Sequence, residues 1–295
     1  MTLQSSGPIS FSQIENEFGG SGPVSLSGYY SLDAGIPASG TITFSNFYGK
    51  ILNATRTISS NTNNFNSRSD FTNATIVGGK KTATAVYNAN QAVKYYITNN
   101  AQIGSTSTGA YSFDTGTWAS GSSIYLTNNN YIIGAGGNGG SYSGGNGGNG
   151  GPALNLQITT YITNNSTIAG GGGGGGAGSD NTVSYTVCAN CLCTKTNTIT
   201  NTAYAGGGGG GAGIIVGPGG SSSGNPGQPG STFTGGAPGP GYSSGRATSS
   251  GGGAGGNLGA RGNNSFGSGG AAGNYVTGNS FAIWITNGTL LGGSA

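Results

Sequence analysis

The chain has 295 residues, of which 66 are glycine; nine Lys and Arg against six Asp and Glu leave a net charge of +3, and histidine is absent. Without histidine there is no Ser-His-Asp triad and no His-ligated metal, and six acids spread along the chain make a paired acid/base site a poor expectation. Nine scattered cations form no basic patch for a phosphate backbone, no apolar run approaches the length of a membrane span, and Met1–Ser10 lacks the pattern of a secretory signal.

The first predicted element is a short helix. Ser10 is placed to cap it with Gln13 at the capping-box position, and Gly19 is a suitable stop. Phe11, Ile14 and Phe18 fall on one face at helical spacing. That face packs on its own small domain or docks on another component, so these three are the attachment candidates. Residues 51–133 read as strands joined by Asn/Thr/Ser turns, for example Thr82–Tyr87 and Val93–Ile97.

A motif then recurs: an apolar residue, Thr, Asn, a turn residue, and a second apolar position often followed by Gly. Its copies are Ile97-Thr98-Asn99-Asn100 with Ile103, Leu126-Thr127-Asn128-Asn129 with Ile132, and Ile162-Thr163-Asn164-Asn165 with Ile168. A weaker copy is Ile199-Thr200-Asn201-Thr202 with Ala205, and the last is Ile285-Thr286-Asn287-Gly288 with Leu291. The local reading is a strand, an Asn-led hairpin turn at positive φ, and a second strand. A repeat of this length points to a stacked or bundled architecture.

Glycine is concentrated beyond residue 133: residues 1–133 hold 14 glycines and residues 134–295 the other 52. The glycines run in blocks, such as 170–176 and 206–211, without the strict every-third spacing of collagen. A disordered linker has no reason to hold apolar residues in register ahead of such blocks. We therefore expect polyglycine II helices, three residues per turn, hydrogen-bonded side by side where only Gly allows close approach.

Cys188-Ala189-Asn190-Cys191-Leu192-Cys193 is the one cluster with ligand chemistry. Free thiols, a disulfide or a metal site are all open; three cysteines fill a tetrahedral site only if sister chains add ligands. Gly78-Gly79-Lys80-Lys81-Thr82 lacks the phosphate-loop spacing. Asp33, Asp70, Asp114 and Asp180 are too dispersed to suggest the carboxylate pair of a glycosidase. Tyr142, Tyr185, Phe233, Tyr242 and Phe266 sit between Gly or Ser stretches, and either cover the bundle or contact a surface receptor.

The segment Ile9–Gly20 followed by Pro23–Tyr30 resembles an N-terminal module of bacteriophage tail proteins. The strand, Asn turn and Gly block of Ile162–Gly176, with the closing run Ser280–Thr289, is similar to the distal tail-fibre adhesins of tailed phages. The resemblance implies polyglycine II sandwiches presenting loops to a bacterial surface receptor, a glycan or outer-membrane protein. It implies other tail or baseplate proteins as partners, a homotrimer or a monomer, and a virion protein assembled in the host cytoplasm. A purely structural tail component is the competing reading. The expected fold is all-β with little helix: a β-rich attachment module over 1–50, a β-rich domain over 51–133, and a polyglycine II domain over 134–295. No enzymatic activity, cofactor, nucleic-acid partner or membrane insertion is expected.

Overall fold

The computed structural model describes residues 3–20, 25–189 and 196–295. The predicted helix is α1 (Phe11–Phe18). Gln13 N donates to Ser10 Oγ and Ser10 N to Gln13 Oε1, at 3.3 and 2.7 Å, and the helix stops at Gly19 with φ 87°. Ile14 and Phe18 are buried, and Phe18 meets Tyr29 and Phe47 ring to ring. Phe11 is half-buried against Tyr29 and Phe44. The apolar face is thus consumed by the chain's own core, which removes Ile14 and Phe18 as docking residues.

The expected β-rich character of residues 1–50 is not found. Beyond α1, the described residues there form two 3-10 turns, Leu26–Tyr29 and Phe44–Phe47, and no strand. At the second, Thr43 and Asn46 make a reciprocal cap, so local side-chain bonds take the backbone groups a strand would offer.

From residue 52 the chain winds into coils of three strands. The first is β1 (Leu52–Ile58), β2 (Thr62–Asn63) and β3 (Phe65–Asn66). An excursion follows through α2 (Ser67–Asp70), β4 (Thr75–Ile76), antiparallel to β1, and α3 (Ala83–Asn88). Helix α3 replaces the strand expected over Thr82–Tyr87. Thr82 Oγ1 accepts from Ala85 N, and Ala83 and Val86 bury one helical face, so a cap and an i, i+3 pair outweigh the alternation.

The second coil is β5 (Val93–Asn99), β6 (Ile103–Gly104) and β7 (Phe113–Asp114); the third is β8 (Ser123–Asn128), β9 (Ile132–Ile133) and β10 (Leu154–Asn155). The fourth begins with β11 (Thr160–Asn164) and β12 (Thr167–Ala169). Two antiparallel hairpins intervene, β13 (Asn181–Cys188) with β14 (Thr196–Ala203) and β15 (Ser243–Ser244) with β16 (Ala247–Thr248), before β17 (Asn274–Thr277) closes the coil. The fifth is β18 (Ala282–Thr286), β19 (Thr289–Leu291) and β20 (Gly293–Ser294). Corresponding strands stack in parallel into three sheets: β18-β11-β8-β5-β1-β4, β19-β12-β9-β6-β2 and β20-β17-β10-β7-β3. The core lies inside, where Ile97, Leu126 and Ile162 align on neighbouring strands.

The repeated Asn motif is therefore a corner, not a hairpin: its two strands belong to different sheets. None of Asn99, Asn128 and Asn164 has positive φ. Asn99 Nδ2 donates to Asn128 Oδ1 and Asn128 Nδ2 to Asn164 Oδ1, each at 2.8 Å, and Asn164 Nδ2 donates to Asn287 O at 2.6 Å. An exposed second row runs from Asn165 to Asn129 to Asn100, each bond 2.9 Å. A buried Asn must bond both its amide groups, and an identical Asn one coil away supplies the partner. The weak copy at Ile199–Asn201 lies in β14, facing Tyr185 of β13, and is no coil at all.

The glycine blocks are insertions between the second and third sheets. They occupy 134–152 in the third coil and 170–273 in the fourth, after which the chain returns to the same sheet at β10 and β17. The composition boundary at 133 is not a boundary in the sheets. The inserted threads bond with a period of three. Gly171, Gly174 and Ala177 donate to Gly151, Gly148 and Gly145, while Gly172, Gly175 and Gly178 donate to Ala212, Gly209 and Gly206. Gly173 and Gly176 donate to Ala260 and Asn263. Carbonyls of the same thread accept from 137–144, 253–256 and 267–273. Thread 206–213 is surrounded in the same way. Successive amides aimed at different neighbours are what side-by-side helices of three residues per turn produce. A Cβ on Gly173 would lie 2.0 Å from Gly270 O, so only glycine fits.

Candidate functional site

The hydrogen bonds sort the turns between threads into two ends. Phe233 lies at the near end, next to the solenoid: its ring meets Tyr131 at 5.2 Å, and Leu258 N reaches Phe233 O. Phe233 is thus part of the join between bundle and solenoid, apart from the other receptor candidates. At the far end Tyr142 N donates to Ser221 O, Gly144 N to Gly178 O, Gly206 N to Ser250 O and Gly267 N to Ala177 O. These bonds gather five turns: 141–145, hairpin β13–β14, 221–225, 242–248 and 265–267.

Tyr142, Tyr242 and Phe266 are exposed there. Tyr142 sits in the left-handed region at φ 56°, which turns its thread back on itself. Phe266 covers Gly144, where a Cβ would come within 2.9 Å of the ring. Tyr185 is half-buried on β13 with the Arg246 guanidinium 4.2 Å over its ring. The sequence reading missed Tyr204, exposed just after β14 and immediately ahead of the 206–211 block. Its signal was an aromatic directly before a glycine thread.

Cys188 is disulfide-bonded, so its sulfur is no thiolate ligand here; Cys191 and Cys193 lie outside the described residues. Among the described residues no cluster of three or more His, Cys, Asp or Glu could hold a metal.

The acids are engaged one at a time. Asp33 pairs with Lys94 at 3.2 Å, and Asp70 with Arg56 at 2.7 Å, a bond that raises the guanidinium's pKa. Asp114 accepts from Asn66, Asn155, Gln157 and Gly116 N. Asp180 accepts from Ala205 N at 2.6 Å. Lys81 donates to Asn16 O and Gln91 Oε1; burial lowers its pKa against the raising effect of Glu17.

A second surface lies on the first sheet, which the coil order places away from the bundle. Tyr96, Tyr125 and Tyr161 stack on its outer side at 4.6 Å steps, and Ile283 follows Tyr161 in register. Phe281, Ile283 and Ile285 are exposed beside them.

A three-sided solenoid carrying a hydrogen-bonded glycine bundle, with loops collected at the bundle's far end, is the build of a loop-presenting protein. The chain belongs to the phage tail fibre adhesin Gp38 family, whose sequence pattern matches residues 53–295, the whole of the solenoid and the bundle. As a tail-fibre adhesin it is a component of the phage virion. It is similar in fold to a chain in the crystal structure of the gp37-gp38 adhesin tip complex of the bacteriophage S16 long tail fiber. The TM-score is 0.57 at 23% identity, over 96% of this chain and 92% of that one. No curated protein matches the chain. Among the described residues no helix is long and apolar enough to cross a membrane.

Proposed function

We propose that this adhesin is held at the end of a tail fibre through its solenoid and meets a bacterial surface receptor with the far-end loops of its glycine bundle. The observation that carries this reading is the gathering of five turns and four exposed aromatics, Tyr142, Tyr204, Tyr242 and Phe266, at one end of a bundle with no apolar interior of its own to bury them. A purely structural rod would have no use for aromatics there, since large exposed apolar side chains favour association. The partner is a tail-fibre protein, as in the gp37-gp38 tip complex of the S16 long tail fiber, and it is seated on the tyrosine-stacked face of the first sheet. A single chain closes all three sheets of the solenoid, which favours a monomer on the fibre over a homotrimer. Assembly takes place in the host cytoplasm. The commitment of Asp33, Asp70, Asp114 and Asp180 to separate structural bonds supports an adhesin without hydrolytic activity.

The test is adsorption. The purified chain should bind host cells and block phage adsorption, and joint replacement of Tyr142, Tyr242 and Phe266 by Ser should abolish both while melting is unchanged. Undiminished blocking by the triple variant would refute the reading. Light scattering on the purified chain should return the mass of one chain.

A further inference from the structure

We propose that the cleft between Tyr204 and Tyr242 binds the ring of a neutral hexose; this rests on the reading of the far end as the receptor-facing end. The cleft has a volume of about 370 Å³ and is lined by Tyr204, Ser223, Gly224, Asn225 and Tyr242. That is near the lower limit for small-ligand sites, suited to one sugar ring and not to a long chain.

The two tyrosines are held from behind by one residue. Ser249 Oγ donates to Tyr204 O at 2.6 Å and accepts from Tyr242 N at 2.8 Å, although four glycine threads separate the two tyrosines along the chain. The opposite wall is fixed as well: Ser222 Oγ donates to Ala205 O and accepts from Gly224 N, and Asn225 Nδ2 donates to Pro240 O. Behind this wall Gly207 N bonds Asn225 O, so the turn is anchored in the bundle. The cleft is therefore formed before any ligand arrives, which lowers the ordering cost of binding.

Its chemistry fits a sugar. A pyranose has an apolar C–H face that lies on an aromatic ring and a rim of hydroxyls that need donors and acceptors. The two tyrosine hydroxyls and Ser223 Oγ make no hydrogen bond within the described residues, and Asn225 Oδ1 is likewise uncommitted. No charged residue lines the cleft. The nearby Arg246 stacks on Tyr185, and Asp180 is taken by Ala205 N. An uncharged lining selects a neutral sugar over a phosphorylated or acidic one.

Saturation-transfer NMR on the full chain, with methyl glycosides of glucose, galactose and N-acetylglucosamine as probes, tests this. The expected result is transfer to the ring protons of at least one glycoside, weakened about tenfold or more in Tyr204→Leu and Tyr242→Leu and unchanged in Asn129→Ala, a substitution on the solenoid away from the loops. The leucine variants keep side-chain bulk, and an unchanged thermal melt shows that they fold. Transfer to none of the three glycosides, or transfer at parental strength in both tyrosine variants, overturns the proposal. Host-cell binding measured on the same preparations separates the two levels. If the parent chain binds cells but no glycoside, the receptor reading stands and the cleft meets a protein loop instead; if it binds neither, both fail.

Discussion

Tyr95 shows how one buried hydroxyl sets a pH limit. Its ring is enclosed in the solenoid core against Phe71 and Trp118, and its hydroxyl has no hydrogen-bond partner among the described residues. Burial pushes its pKa far up, Asp70 adds to the rise, and Arg56 opposes it. Because the folded pKa lies above the unfolded value of about 10, the stability linked to this group is intact below pH 10 and is lost as pH rises beyond it. Tyr29 and Tyr96 are shifted the same way, chiefly by burial. Tyr95→Phe should stabilise the protein by about 1 kcal/mol at neutral pH, since it removes an unpaired polar group, and should flatten the loss above pH 10. Paired melts at pH 7 and in the alkaline range decide this; a lower melting temperature at pH 7 would show an undescribed partner for the hydroxyl. At Gly173 the demand is steric. Gly173→Val should cost about 4 kcal/mol or more, since a Cβ 2.0 Å from Gly270 O must push backbone apart, while Thr186→Val on the exposed hairpin should change little. Hydrogen exchange at 170–176 distinguishes the two. Ser222 is a costlier site than Thr186, because its hydroxyl donates to Ala205 O and accepts from Gly224 N.

At the scale of elements, the corner ladder makes a graded prediction. Asn128 sits in the buried row, bonded to Asn99 below and Asn164 above, so Asn128→Ala should cost about 2–4 kcal/mol by leaving two buried amides short of a partner. Asn129 makes the same bonds in water, so Asn129→Ala should cost less than about 1 kcal/mol. Denaturant titration of the two variants should separate them; equal losses would mean the buried row carries no special burden. The ladder was visible in the sequence as a motif, yet its meaning was not. A strand, an Asn turn and a strand describe a hairpin and a coil corner equally well, because local φ/ψ preferences do not specify which strand the second one pairs with. The first coil escaped notice for a related reason. At its corner Ile58 occupies the place that Asn99 fills in the next, so the Asn that marks the motif is missing from that position.

For the molecule as a whole, the chain leaves and returns to the solenoid at adjacent points. A Cβ on Gly134 would lie 2.0 Å from Gly151 O, and one on Gly170 would lie 1.9 Å from Gly273 O. Replacing 135–150 and 171–272 by short Gly-Ser turns should leave a folded solenoid with parallel-sheet circular dichroism and cooperative melting, and no cell binding. Loss of cooperative melting would show that the bundle is needed to hold the coils together. Removal of residues 1–50 has a different expected outcome, because Leu3, Ile14, Phe18, Tyr29 and Phe47 share one core with Leu52 and Tyr95. That truncation should unfold the first coils, so it cannot serve as a clean test of attachment.

The amino-acid sequence alone determined the capped helix at Ser10–Gly19, the strands with β-branched and aromatic alternation, and the need for glycine in close-packed threads. Each follows from groups within a few residues of one another: a hydroxyl reaching an amide three positions on, a period of two, or the absence of a Cβ. Tertiary structure alone decided that Asn128 finds its partners 29 and 36 residues away, and that the glycine threads are insertions in coils that close after them. It also placed Phe233 at the near end of the bundle and Tyr204 at the far end. Which end a loop occupies depends on how many antiparallel threads precede it and on the neighbours to which each thread bonds. Gly171, Gly172 and Gly173 are identical residues bonded to three different threads, and nothing local in a run of glycines tells them apart.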